Sequence, residues 1–97
     1  LSGKNMSVKA KIDTGADGSS IDETLAHELG LTDSDNVLYY DYFRNANGRK
    51  RRKIVGVTFV MAGRRVKTQI SIADRSRLRT KILIGRRDLK QFAVVVG

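Results

Sequence analysis

Hydrophobic and polar positions alternate along much of this chain, and a period of two residues is typical of a strand with one buried face. Near the start, Val8, Ala10 and Ile12 alternate with lysines, so we expect these three side chains on the buried face of a first strand. The same alternation recurs over residues 55–61 and 66–72. The pattern predicts strands over residues 7–13, 37–43, 55–61, 66–72, 82–84 and 92–96.

One segment follows a helical period instead. Apolar residues recur every four positions at Ile21, Leu25 and Leu29. Ser20 precedes this stripe as a predicted N-cap, Glu23 completes a capping box, and Gly30 supplies a C-terminal stop. The pattern predicts one helix that begins after Ser20 and a second, shorter helix over residues 86–91.

Turn signals separate these elements. Residues 45–48 read Asn-Ala-Asn-Gly and residues 62–63 read Ala-Gly, and both sequences are typical of hairpin turns. The chain shows no internal repeat and no proline-rich or low-complexity linker. We therefore expect residues 1–97 to form a single, mostly β domain with one or two short helices. Many short strands favour a small closed barrel or a sandwich.

Composition narrows the possible functions. The 97 residues include 19 Lys and Arg against 10 Asp and Glu, and the net charge of +9 attracts anionic partners. Without cysteine, and with His27 as its one histidine, the chain lacks the ligand sets of zinc sites. It also lacks a glycine-rich ATP loop, so we expect no metal and no cofactor. No apolar run approaches the ~18 residues of a membrane span and no signal peptide is visible, which predicts a cytoplasmic protein without a membrane partner.

The segment after the first predicted strand carries candidate chemistry. Beyond Ile12 the chain reads Asp13, Thr14, Gly15, Ala16 and Asp17. The glycine lets the main chain approach another backbone closely, and the threonine can anchor the loop by hydrogen bonding. Such a sequence holds a carboxylate on a tight loop just beyond a packed strand.

A second motif lies near the C-terminus. The apolar residues 82–84 are followed by Gly85 and Arg86. Arg87 and Asp88 come next, at the start of the second predicted helix, and we expect them to cap or brace that helix.

The two motifs together resemble the retropepsin-type aspartic proteases, which carry Asp-Thr/Ser-Gly-Ala after an apolar strand and an apolar-apolar-Gly-Arg element near the C-terminus. The resemblance implies the small closed barrel of that family, with Asp13 as the catalytic residue. It implies that Thr14, Gly15 and Ala16 support the active-site loop. Residues 72–87 further resemble a small retropepsin-like family labelled "putative ATP-dependent zinc protease", which is associated with ligases that add glutamates to a ribosomal protein.

The resemblance also implies how the site is completed. Asp17 is expected to pair with Arg86, or else to contact the substrate backbone. The chain holds one copy of the Asp-Thr-Gly loop, so a dyad of two carboxylates sharing one proton needs two copies of Asp13. We therefore expect a homodimer with an isologous interface through the site, with residues 92–96 as a candidate dimer strand.

A hairpin over residues 39–54 would then be the flap that covers a peptide substrate. Its basic and turn residues are candidate substrate contacts: Arg44, Asn47, Gly48, Arg49, Lys50, Arg51 and Arg52. Their charge, with the family's association with glutamate ligation, points to acidic or glutamylated peptides. The alternative is a solvated edge that discourages aggregation.

The leading hypothesis is a homodimeric aspartic endopeptidase. One alternative is a catalytically silent retropepsin-like module that binds acidic peptides or a partner ligase. Another is a basic β domain that binds nucleic acid through the aromatic residues beside the basic run, namely Tyr39, Tyr40, Tyr42 and Phe43. Nucleic acid is the less favoured partner, because that function leaves the Asp13 loop unexplained.

Overall fold

The computed structural model describes residues 6–46 and 48–92, and its strands form one mixed sheet. The strands are β1 (Ala10–Ile12), β2 (Ser20–Asp22), β3 (Val37–Asn45), β4 (Gly48–Met61), β5 (Arg64–Ala73) and β6 (Ile82–Ile84). Their order across the sheet is β1-β6-β2-β5-β4-β3. The helices are α1 (Glu23–Glu28) and α2 (Arg86–Leu89), with 3₁₀ turns at Ser34–Asn36 and Lys90–Phe92.

The predicted mostly β architecture is confirmed, but the described strands do not close into the expected barrel. Among the described strands, β1 pairs only with β6 and β3 pairs only with β4, so both are edges of this open sheet. The sheet is mixed: β1 and β6 run parallel, as do β2 and β5, whereas the remaining pairs are antiparallel.

Strands β3, β4 and β5 form two consecutive antiparallel hairpins. The predicted strand over residues 55–61 begins earlier, at Gly48, because cross-strand pairing with β3 extends it. Gly48 has a φ of +116° at the first turn, and Gly63 has a φ of +73° at the second, a region that favours glycine. The predicted flap over residues 39–54 lies within the first hairpin; Asn47 lies outside the described residues.

The first helix begins later than the sequence predicts. Ser20 was expected to be its N-cap, but Ser20–Asp22 is strand β2, whose backbone pairs with β5 and β6. Asp22 is the N-cap instead, and its Oδ2 accepts the Thr24 N–H at 3.2 Å. Gly30, with a φ of 76°, ends the helical segment as predicted.

The first strand is shorter and more exposed than predicted. It covers Ala10–Ile12 rather than residues 7–13, and all three of its residues are exposed. The reason is its position at the sheet edge, where β6 is its one hydrogen-bonded neighbour among the described strands. The strand over 82–84 and the helix near residue 86 are confirmed. Phe92 belongs to a 3₁₀ turn, and the rest of the strand predicted over 92–96 lies outside the described residues.

The hydrophobic core lies between the sheet and α1. It is a cluster of six buried side chains: Ile21, Leu25, Ala26, Val55, Ile70 and Ile72. Burial of each large aliphatic side chain contributes about 1.5–3 kcal/mol. The core therefore holds α1 and β2 against the long hairpins. Because β2 directly follows the loop after β1, the core also positions the end of that loop.

A buried carboxylate connects three distant parts of the chain. Asp88 on α2 is 3% exposed; its Oδ2 accepts the Ser19 hydroxyl and its Oδ1 the Thr68 hydroxyl, each at 2.6 Å. Ser19 Oγ also accepts the Gly85 N–H at 3.0 Å. Asp88 was expected to cap or brace its helix; it does not cap α2, whose N-cap is Gly85, but faces inward and connects α2 to β5 and to the loop before β2.

Replacing Asp88 by alanine is expected to destabilise the fold by about 2–4 kcal/mol, because two buried hydroxyl groups lose a charged acceptor. Asp88→Asn, which keeps one acceptor oxygen, is expected to cost less. The measurement is the free energy of unfolding in urea. Asp35→Ala removes an exposed carboxylate and is the control. An Asp88→Ala protein as stable as the Asp35→Ala protein would contradict this role.

Candidate active site

The Asp13 loop begins where β1 ends. The Asp13 N–H donates to the Ile84 carbonyl at 3.0 Å, which continues the parallel pairing of β1 with β6. The Gly15 N–H donates to Asp13 Oδ1 at 2.9 Å, and the Ala16 N–H donates to the Asp13 carbonyl at 3.2 Å. The loop therefore orients the half-buried Asp13 carboxylate through its own backbone, while Thr14 is exposed at the turn.

The segment that follows β6 holds the other side of this loop. The Arg86 N–H donates to the Ala16 carbonyl at 2.8 Å, and the Arg87 N–H donates to the Asp17 carbonyl at 2.9 Å. A Cβ built at Gly85 would contact the Gly18 carbonyl group, with 2.6 Å to its carbon. The two backbones are thus close enough that only glycine fits at position 85.

Asp17 and Arg86 form an ion pair between Asp17 Oδ1 and an arginine Nη. Their side chains are 75% and 53% exposed, respectively. An exposed pair of this kind contributes at most about 1 kcal/mol. The backbone bonds and the buried Asp88 therefore position the loop more strongly than the ion pair does.

The structure brings one group of predicted site residues together and leaves the other apart from it. Residues 13–17 and Arg86 share the loop contacts described above. The basic residues lie on the β3–β4 hairpin, at the opposite edge of the sheet from β1. The predicted loop and the predicted flap are therefore separate surfaces within one chain.

The basic residues of the hairpin divide between its two faces. Residues paired across antiparallel strands share a face, so Arg44, Arg49 and Arg51 lie on one side. Lys50 and Arg52 lie on the other side. Three guanidinium groups stack over aromatic rings: Arg49 over Tyr42, Arg51 over Tyr40 and Arg52 over Phe43, at 4.7, 4.3 and 4.5 Å.

A concavity of about 530 Å³ lies between this hairpin and α1. Its lining includes Tyr40 and Arg51 from the hairpin, Glu23 and His27 from α1, and Asp74 after β5. Hydrogen bonds from the Ser76 hydroxyl and backbone N–H hold the pKa of Asp74 below its usual value. The concavity thus combines cationic side chains from the hairpin with carboxylates from α1 and from the segment after β5.

Sequence reasoning missed Ser19 and Thr68, the two residues whose hydroxyl groups bind the Asp88 carboxylate. One signal was present in the alternation of β5. Thr68 occupies an inward position between Val66 and Ile70, and a polar residue there requires a buried partner. No comparable pattern pointed to Ser19.

Two further findings concern residues 6–46 and 48–92, the part of the chain that the structure describes. Within these ranges, no three His, Cys, Asp or Glu side chains come close enough to hold a metal ion together. In the same part of the chain, no helix has the length and apolar character needed to cross a bilayer.

Several solved structures share this fold. Simian foamy virus (mac) protease matches with a TM-score of 0.65 and 18% identity, over 92% of this chain and 88% of its own. EIAV protease in complex with the inhibitor HBY-793 matches with a TM-score of 0.60 and 22% identity, over 92% and 82%. The retroviral protease-like domain of Ddi1 from Leishmania major matches with a TM-score of 0.59 and 24% identity, over 87% and 66%.

These identities are all below 25%, so the structural matches establish a retropepsin-like fold and not a reaction. No curated protein sequence matches the chain significantly. A family model described as "gag-polyprotein putative aspartyl protease" matches residues 2–91. That match spans nearly the whole sequence, and the chain therefore belongs to the gag-polyprotein aspartyl protease family.

Proposed function

We propose that this protein is a homodimeric aspartic endopeptidase in which each subunit contributes Asp13. The observation that carries the proposal is the Asp13 loop, whose carboxylate is oriented by the Gly15 N–H and whose backbone is fixed to the segment after β6. A catalytic carboxylate needs such fixed positioning, because small displacements of reacting groups greatly reduce rates.

Peptide hydrolysis by this mechanism needs two carboxyl groups. The ionised group accepts a proton from water as the water attacks the scissile carbonyl carbon, and the protonated group donates to the carbonyl oxygen. Within one chain, the nearby acid Asp17 is already paired with Arg86. The sequence contains no second Asp-Thr-Gly loop, so the second carboxyl group must come from Asp13 of another copy.

The exposure of β1 supports an interface at this position. Ile12 directly precedes Asp13, and its side chain is 51% exposed in the single chain. Among the described strands, β1 is also a sheet edge, and an edge strand offers unpaired backbone groups to a partner. A two-fold axis near Asp13 would cover this apolar side chain while bringing the two carboxylates together.

The β3–β4 hairpin is the proposed flap, and its charge favours acidic peptides as substrates. The candidate contacts Arg44, Arg49 and Arg51 share one face of it. The chemistry requires neither metal nor nucleotide. The relationship of residues 72–87 to proteins labelled as zinc proteases stays a hypothesis. A chelator tests whether the activity depends on a metal ion.

Asp13→Asn is expected to abolish cleavage of a mixed peptide library, because the amide can neither accept the proton of water nor share one with its partner. The amide oxygen can still accept the Gly15 N–H, so the loop keeps its shape. Products are measured by mass spectrometry from pH 4 to 7, with and without EDTA. Asp33→Asn, at an exposed turn, is the control. Equal products from the wild type and Asp13→Asn would overturn the assignment, and loss of activity in EDTA would contradict metal-free chemistry.

Specific activity is expected to rise with protein concentration, because the site exists only in the dimer. Sedimentation velocity over the same concentrations measures the dimer fraction. Activity and dimer fraction should increase in parallel. Constant specific activity across a range in which the protein changes from monomer to dimer would show that one chain is sufficient.

A further inference from the structure

We propose that one face of the β3–β4 hairpin binds extended peptides whose carboxylates occur at every second residue. This inference rests on the proposed function, for which it names the substrate class. The face, called here the arginine ladder, consists of Arg49, Arg51 and Lys53 on β4 and of Tyr40, Tyr42 and Arg44 on β3.

Cross-strand pairing defines this face. Tyr40 pairs with Lys53, Tyr42 with Arg51, and Arg44 with Arg49, so all six side chains project from the same side of the hairpin. The ladder contains four cations and no acid. The hairpin has one carboxylate, Asp41, whose cross-strand neighbour is Arg52, and both residues lie on the opposite face. The ladder is therefore a surface of a single charge sign, which attracts anions.

The tyrosines give the ladder a defined geometry. The Arg49 guanidinium stacks over the Tyr42 ring at 4.7 Å, and that of Arg51 stacks over Tyr40 at 4.3 Å. Stacking holds each planar group in one orientation and leaves its edge N–H donors available. Two parallel donors on a guanidinium match the two oxygens of a carboxylate. The two arginines are thus preorganised to bind carboxylates. Their fixed orientation adds geometric selectivity to the attraction that their charge alone would provide.

The spacing of the ladder selects the pattern of acids. Arg49, Arg51 and Lys53 follow one another at intervals of two residues on a strand, which is about 6.6–6.8 Å. An extended peptide repeats its side chains on one face at the same interval. Glutamates at alternate positions would therefore meet successive cations, whereas contiguous glutamates would direct half of their carboxylates away from the ladder.

Two acidic residues lie beside one end of the ladder. Glu23 and Asp74 line the same concavity as Tyr40, Arg51 and Lys53 of the ladder, and hydrogen bonds from Ser76 lower the pKa of the Asp74 carboxyl. These carboxylates repel an anionic peptide from α1. The same rings that could stack nucleic-acid bases are covered by the protein's own arginines, which favours a peptide over a single-stranded nucleic acid.

Two labelled peptides of identical composition provide the test. One alternates four glutamates with four threonines, and the other places the four glutamates in a block before the threonines. Binding is measured by fluorescence anisotropy to the full chain carrying Asp13→Asn, so that cleavage does not interfere. The alternating peptide is expected to bind about five- to tenfold more tightly. Because both peptides carry equal charge, non-specific attraction predicts equal affinity.

Variants separate geometry from charge. The double variant Tyr40→Leu/Tyr42→Leu keeps every cation but removes the stacking surfaces, and both tyrosines are exposed, at 46% and 58%. We expect it to bind the two peptides equally. Arg49→Lys/Arg51→Lys should likewise lose the discrimination. Arg64→Ala/Arg65→Ala removes two exposed cations at the start of β5, next to the turn between β4 and β5. This variant is expected to keep the discrimination between the two peptides.

Equal binding of the two peptides to the unmodified ladder would overturn the inference. So would a single-stranded oligonucleotide that binds more tightly than the alternating peptide at the same ionic strength, since that result would assign the face to nucleic acid. Discrimination between the peptides without cleavage by the wild type would support the ladder while refuting the proposed peptidase. Cleavage by the wild type without discrimination between the peptides would support the proposed peptidase and refute the ladder.

Discussion

The structure depends on the close contact between the Asp13 loop and the segment that follows β6. Backbone hydrogen bonds from Asp13, Arg86 and Arg87 connect these two stretches, which lie some seventy residues apart in the sequence. Gly85 allows the approach, because any side chain there would overlap the Gly18 carbonyl. Buried Asp88 then fixes the same segment to β5. A strand, a loop and a helix are therefore hydrogen-bonded together around the Asp13 carboxylate.

The composition of this loop explains why the proposed activity needs two chains. The loop orients Asp13 but supplies no second unpaired acid beside it, since Asp17 is bound to Arg86. The same subunit carries the basic hairpin on the far edge of its sheet. In the proposed dimer, the apolar edge near Ile12 joins two subunits, and the charged hairpins remain available for substrate. The proposed catalytic and recognition roles would thus occupy opposite edges of one small sheet.

Much of the fold follows from local sequence. Alternation located the long hairpins, and the glycines at 48 and 63 located their turns. The errors came from tertiary pairing. Ser20 has the sequence of a helix cap, but the sheet on both sides of it makes it a strand. Ala10 and Ile12 have the pattern of a half-buried strand but lie at an exposed edge. The partners of Asp88 were not predicted, because Ser19 and Thr68 are distant from it in sequence.

The central claim is that one active site requires Asp13 from two chains, and a mixing experiment tests it most directly. Asp13→Asn protein is added to a fixed amount of wild type, at concentrations where both are dimeric and exchange partners. If mixed dimers are inactive, the total activity falls to roughly half when the two proteins are equal in amount, because random pairing places half of the wild-type subunits with a variant partner. Activity that stays constant as variant is added would show that each chain works alone and would contradict the account.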